Sequence, residues 1–274
     1  RQTDRQLSIQ ALRAIAFIFI FLGHCRLIPS GFASFGVSIF IALSGFLLTI
    51  RRKDDLKIGI KPQLSYAWNK IAKLYPLHII CMLGMLPFEF KNVVEGIVAL
   101  PDAIIKILLN LVLLQSWHPT LTVSQSLNGV AWYLSTCLFL YFMFPIIWSR
   151  VKNYKKIQDV ILPCLTVYGL FVVTRAFTLE WTGLNETSST WFYYVFPLYR
   201  LGDFYIACCA GGILKEKRPC DNKRIYTVLE IVGIAACLLM SSMQSRPYGI
   251  SAMRVLMTST VFDLPIALLL VFVF

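Results

Sequence analysis

Residues 12–27 read "LRAIAFIFIFLGHCRL", a stretch apolar enough to cross a bilayer that nevertheless carries Arg13, His24 and Arg26. Charged side chains are costly in hydrocarbon, so within a span they normally face a bundle interior or a wet cavity and mark a functional pathway. Arg13 and His24 are eleven residues apart. At ~100° per residue their side chains fall within roughly 20° of each other on a helix, about 16 Å apart along its axis. They are expected on one face. Taken singly, Arg13 could snorkel from a span end and His24 could bond a neighbouring helix; both landing on one face favours a shared task.

The next apolar segment, "SFGVSIFIALSGFLLTI" (34–50), places Ser34, Ser38 and Ala42 at intervals of four, with Gly45 three further on. Small residues at that spacing let membrane helices approach closely, so packing is the expected role of this face. Ser44 is not in a G-x-S-x-G turn, which argues against a serine nucleophile.

Composition agrees with a membrane reading. The chain has 274 residues, 57% hydrophobic and 15% charged, with a mean hydropathy of +0.68. A soluble domain carries about a quarter charged residues. Apolar segments recur at 7–28, 32–50, 71–90, 101–117, 131–149, 159–176, 191–214, 226–242 and 255–274. The expected fold is an all-α polytopic transmembrane bundle of roughly eight to ten spans, each needing ~20 apolar residues. It is expected to form one domain over 1–274, trimmed at both ends and incomplete at the C-terminus.

The net charge of +12 comes from clusters between apolar segments: "RRKDDLK" (51–57), "RVKNYKK" (150–156) and "KEKRPCDNKR" (215–224). That is a positive-inside signal and not a nucleic-acid surface. It places these connectors and the N-terminus in the cytoplasm, and the acidic "TLEWTGLNETSST" (178–190) outside. An odd number of crossings must then separate residue 57 from Ala131, although two segments lie between. One of 71–90 and 101–117 is therefore interfacial or re-entrant, and Asp102, Lys106 and Asn110 point to the second.

Eight cysteines, mostly within apolar segments, show no CxxC or Cys/His ligand spacing and read as packing residues. The three histidines have no metal-ligand spacing either, so no metal site is expected. His78 is expected to make a structural hydrogen bond, and His118 to lie solvated in an external loop. Asn185-Glu186-Thr187 fits a glycosylation pattern, without meaning in a bacterial chain. The run "WFYYVF" (191–196) reads as an interfacial aromatic belt, with a sugar-stacking platform as the alternative.

The two opening segments together resemble the acyltransferase-3 family of membrane acyltransferases. That family shows an Arg, ten intervening residues and a His in its first span, as Arg13 and His24 do, followed by a G-V-x-x-F-F-x-L-S-G-F-L-like span. Gly36, Val37, Phe40, Leu43, Ser44, Gly45, Phe46 and Leu47 match the second pattern. "NKIAKLYPLH" (69–78) looks like the family's basic segment, with Lys73 where Arg is common. "NGVAWYLSTCLFLYFMFP" (128–145) looks like its W-x-L-x-x-E segment, matching at Trp132, Leu134, Tyr141 and Pro145. Cys137 stands there in place of the usual Glu, so no role carries over to that position. "YRLGDFYIACCAGGIL" (199–214) resembles its R-L-x-E-F segment through Arg200 and Asp203.

The resemblance implies transfer of an acyl group, usually acetyl, from cytoplasmic acyl-CoA to hydroxyls of an extracytoplasmic or lipid-linked carbohydrate. His24 would be general base or transient acyl carrier, and Arg13 would hold a phosphate or carbonyl oxygen. Lys73 and Arg200 are candidates for donor phosphates or, equally, positive-inside anchors. Ser44, Gly45 and Trp132 are read as packing or site-lining. No permanently bound cofactor is implied, with acetyl-CoA as co-substrate. Expected partners are acyl-CoA, a glycan acceptor and membrane lipid, without nucleic acid, and the expected location is a bacterial inner membrane crossed several times. The rival reading is a transporter of a small polar solute using the same Arg/His pair; no internal repeat supports it. A scaffolding role would have little use for the pair.

Overall fold

Apolar runs interrupted by Pro, Gly and short basic connectors give a succession of helices. The computed structural model describes residues 2–156, 158–181 and 190–215, with positions 227, 228, 231, 232 and 235. Among the described residues there is no strand. Helix α1 covers Gln2–His24, and α2 covers Ser30–Arg51 directly after Pro29. Helix α3 (Ile60–Ile71) starts behind Gly59, whose φ of 146° suits glycine. Helices α4 (Tyr75–Val94) and α5 (Leu100–Leu111) each carry Pro in the first turn, where the missing N–H costs nothing. Short turns at Gln115–Trp117 and Gly129–Ala131 flank the single-turn α6 (Leu121–Ser124). Helices α7 (Trp132–Val151) and α8 (Gln158–Trp181) follow. A π-helical turn, Trp191–Val195, precedes α9 (Pro197–Leu214).

Three of these elements are long and apolar enough to cross a membrane: Gly31–Arg51, Tyr75–Val94 and Gly129–Val151. Ile9–His24 and Gln158–Val167 are shorter apolar helices. The segments 226–242 and 255–274, and the middle of the acidic connector with its Asn185 pattern, fall in or almost wholly in the part outside the described residues.

The structure departs from the sequence expectation at two places and agrees with it at a third. Helix α3 occupies what looked like connector; its buried Gln63, Ala67 and Ile71 recur every four residues, a one-sided pattern too short to register as a span. The segment 191–214 is two elements, because Phe196 takes an extended conformation (φ −62°, ψ 123°) ahead of Pro197. Segment 101–117 stops being helical at Leu111, and Leu113 turns back with φ 55°. This last agrees with the expectation that it is no simple span.

The chain divides into two compact units. The first comprises Arg1–Asp54, Trp148–Gly183 and Gly202–Phe274. Its core is Ile9, Leu12 and Ala16 of α1, Phe35, Ile39, Ala42, Leu43, Phe46 and Leu47 of α2, and Ala207 of α9. Glycines set how closely the backbones approach. A Cβ on Gly36 would stand 2.6 Å from the Ala16 carbonyl oxygen, and one on Gly45 2.7 Å from that of Phe204. Where α2 ends, the Lys215 amine donates to the Arg52 carbonyl and lies 4.5 Å from the Trp148 ring centre.

The second unit comprises Asp55–Ile147 and Leu184–Leu201. Ile71, Leu113 and Leu134 form its apolar centre, with Tyr75, Leu138 and Tyr141 packed around them. Gln63 ties α3 to α7: its amide donates to the Phe142 carbonyl at 2.8 Å, while its oxygen accepts the Gly59 N–H at 3.0 Å.

Candidate active site

Helix α1 buries Ile9, Leu12 and Ala16, and leaves Phe17 and Phe21 more than half exposed. Arg13 and Ile20, both half-buried, and the exposed His24 follow one another along the margin of the packed side. His24 is the last residue of the helix, so its imidazole stands where a reactant can approach it. In the same unit the Ser44 hydroxyl donates to the Phe40 carbonyl of its own helix at 2.8 Å. Gly45 is a contact point: the Thr49 hydroxyl (2.9 Å) and the Cys208 thiol (3.5 Å) donate to its carbonyl.

The second unit holds Lys73, Trp132 and Arg200. Lys73 is exposed in the link from α3 to α4. Trp132 and Arg200, 68 positions apart, are brought together by a residue belonging to neither motif. The ring of Tyr194 lies 4.8 Å from that of Trp132, and the Arg200 guanidinium lies 4.8 Å from the Tyr194 ring centre. The local backbone explains this. Phe196 is extended ahead of Pro197, which breaks the helical register, so the carbonyls closing the π-helical turn lose their helical donors. Arg200 Nε donates to the Tyr194 carbonyl at 2.8 Å, and the Thr136 hydroxyl to that of Val195 at 3.1 Å. Arg200 has no accessible surface, and its guanidinium is turned inward onto Tyr194. Asp203, also in the R-L-x-E-F-like segment, is equally buried.

Sequence reasoning missed Tyr194 because it sits within an aromatic run, where every ring looks alike. Its neighbours pack on one another: Phe196 has Trp191 at 4.8 Å and Trp117 at 5.6 Å. The Trp191 indole N–H donates to the Ser116 carbonyl at 3.0 Å. A belt residue would direct that N–H to the interface, so Trp191 is here a packing residue. The signal in the sequence was Pro197, which announces carbonyls in need of side-chain donors.

A buried polar network joins α4, α5 and the loop before α7. His78 donates from Nε2 to the Asn110 carbonyl at 3.0 Å, and Asn128 donates to His78 Nδ1 at 3.3 Å. The Asn110 amide donates to the Ser126 hydroxyl at 2.9 Å. His78 therefore makes the structural bond expected of it. His118 is half-buried, with Nδ1 3.0 Å from the Thr120 hydroxyl. Lys106 and Glu89 pair at 2.6 Å, their side chains only 11% and 12% exposed. Stranding one charge of a buried pair costs about 3–5 kcal/mol, whereas replacing both with apolar groups is often neutral. Glu89→Leu should therefore lower the thermal unfolding midpoint in detergent markedly, and Glu89→Leu with Lys106→Leu should recover most of the loss. Equal losses in the single and double variants would show that the pair is not the cause.

Comparison with known proteins gives the family. The acyltransferase domain model of the acyltransferase-3 family matches residues 6–274. The chain belongs to the acyltransferase-3 family. It is similar to "Acyltransferase MdmB" of Streptomyces mycarofaciens, at 26% identity over 198 residues. That alignment covers 66% of this chain and 47% of MdmB, so the chain spans about half the length of this curated relative. No solved structure matches. Family membership and the three long apolar helices together mark a membrane protein of this family.

Proposed function

We propose that the chain transfers an acyl group, in the simplest case acetyl, from acyl-CoA to a hydroxyl of an extracytoplasmic or lipid-linked carbohydrate. The observation carrying this reading is the placement of Arg13 and His24 along one margin of α1 in a member of an acyltransferase family. In this reading the His24 imidazole takes the proton of the acceptor hydroxyl, whose oxygen attacks the thioester carbonyl. The carbon–sulfur bond breaks, and the imidazolium returns the proton to the departing thiolate. Such general base–acid work contributes roughly 10²–10⁴-fold in rate.

Arg13 lies about 16 Å along the helix from His24, so the two cannot share one carbonyl. Arg13 is therefore assigned to the donor's phosphates by charge-assisted hydrogen bonds, with the donor's extended arm running along the helix towards His24. Positive-inside placement of the basic connectors puts the N-terminus and the donor in the cytoplasm of a bacterial cell. Lys73 is exposed near the start of α4. Cells expressing the chain, supplied with acetyl-labelled coenzyme A, should place label on surface or lipid-linked carbohydrate. Movement of a solute without label transfer would replace this reading with the transport alternative.

A further inference from the structure

Two of the cysteines are more than fillers of helix contacts. Cys164 of α8 and Cys209 of α9 are 45 positions apart in the chain. The fold of the first unit sets their thiols in a hydrogen bond to each other. No spacing rule pairs them; helix geometry does. On α8, Val160, Pro163, Cys164 and Val167 are buried or half-buried, a spacing of three and four that forms one face, while Ile161, Leu162 and Leu165 are exposed. On α9 consecutive residues point ~100° apart, so Cys208 and Cys209 serve different neighbours. The Cys208 thiol donates to the Gly45 carbonyl of α2, and Cys209 meets α8.

A string of polar groups continues from the pair. Cys209 bonds with the hydroxyl of Tyr205, one turn earlier on α9, and that hydroxyl lies 3.3 Å from the Tyr154 hydroxyl in the basic connector ahead of α8. Cys164 is half-buried and Cys209 fully buried. A reagent therefore meets Cys164 first and finds Cys209 behind it, the arrangement of a reactive thiol with a resolving partner. The remaining described cysteines are placed differently. Cys25 and Cys81 are exposed, and buried Cys137 bonds with Tyr133 and Tyr141 of its own helix.

We propose that Cys164 and Cys209 form a redox-modifiable site, at which a hydroperoxide converts the thiol pair to a disulfide that fastens α8 to α9. The Cys164 sulfur, as thiolate, attacks a peroxide oxygen. The O–O bond breaks, the departing alkoxide takes up the thiol proton and leaves as alcohol, and a sulfenic acid remains. The Cys209 sulfur then attacks the sulfenic sulfur; the S–O bond breaks, and hydroxide leaves as water with the Cys209 proton. Two thiols give up two electrons, and the peroxide accepts them. Bringing a hydrogen-bonded pair to an S–S bond of about 2.05 Å asks for little movement. The basic connector puts this end of α8 on the cytoplasmic side, where thiols are kept reduced. The resting form is then the dithiol, and thiol–disulfide exchange at half-buried Cys164 reverses the bridge. The inference stands independently of acyl transfer.

The test uses the full native chain in proteoliposomes, treated in parallel with hydrogen peroxide and with lipid-soluble cumene hydroperoxide. Free thiols are then blocked, and the digest is read by mass spectrometry with and without dithiothreitol. The expected result is a linked Cys164–Cys209 peptide pair, lighter by two hydrogens, with both thiols lost together and recovered together on reduction. The more effective peroxide tells whether the oxidant arrives through lipid or through water. Cys208→Ser should leave the bridge intact, and Cys209→Ser should let a dimedone-reactive sulfenic acid accumulate at Cys164. Cys209 persisting as a thiol at a peroxide dose that oxidises exposed Cys25 would overturn the proposal. So would Cys164 bridged to another cysteine, or oxidised alone in the native chain. The native-chain measurement decides the matter even where a variant fails to fold.

Discussion

Replacing His24 with alanine is expected to reduce acyl transfer by ~10²–10⁴-fold while leaving the amount of inserted, folded protein unchanged. The two halves of that expectation have separate causes. His24 is exposed at the end of α1, and the core of its unit is made by Ile9, Leu12 and Ala16 on another side of the helix. Removing the imidazole therefore leaves no cavity, and surface truncations of this kind usually change stability by less than about 0.5 kcal/mol. In the proposed mechanism the chemistry loses its base altogether. Arg13→Lys should behave differently, raising the KM for acyl-CoA more than it lowers kcat, because a lysine keeps the charge but not the forked pair of donors. Transfer by His24→Ala at the parent rate, measured with labelled donor in membranes matched for protein content, would remove His24 from the mechanism.

The second large effect is structural. Gly45→Ala should destabilise the first unit by about 1–3 kcal/mol, and Gly45→Leu should prevent its assembly. The methyl of alanine would come 2.7 Å from the Phe204 carbonyl oxygen, with the Cys208 sulfur at 3.2 Å and the Ala207 Cβ at 3.3 Å. The nearest atom is main chain of α9 and cannot swing aside as a side chain would. Gly36→Ala meets the Ala16 carbonyl in the same way, separating α1 from α2. Gly84→Ala on α4 is the control: nothing lies within 4 Å of its Cβ position. There the gain in helix propensity, about 0.5–1 kcal/mol, should appear unopposed. Thermal unfolding in detergent, followed by tryptophan fluorescence, ranks the three variants. Equal midpoints for the alanine variants of Gly36, Gly45 and Gly84 would mean that the helices do not approach as closely as described.

Much of this protein is visible in one dimension. Apolar run length and the basic connectors announce helices in a bilayer, because hydrocarbon thickness and the cost of exposed backbone leave few alternatives. Helical periodicity alone puts Arg13 and His24 on one edge, and the Gly36–Leu47 pattern beside that pair carries the family. The interval of four among Ser34, Ser38 and Ala42, with Gly45 beyond, marks a close helix contact, though not the partner, which is α9 for Gly45 and α1 for Gly36.

What tertiary structure alone decided is where charge and polarity end up. Lys106 and Asn110 argued for an unusual segment, but their partners Glu89 and Ser126 are separated from them by a loop and no local rule pairs them. Arg200 matched a motif, which left its surroundings undetermined. Three-dimensional packing set it against Tyr194, because a carbonyl orphaned by the break at extended Phe196 needs a donor and a buried guanidinium needs neighbours of its own. Periodicity tells which side chains share a helix face; only the fold determines what stands opposite them.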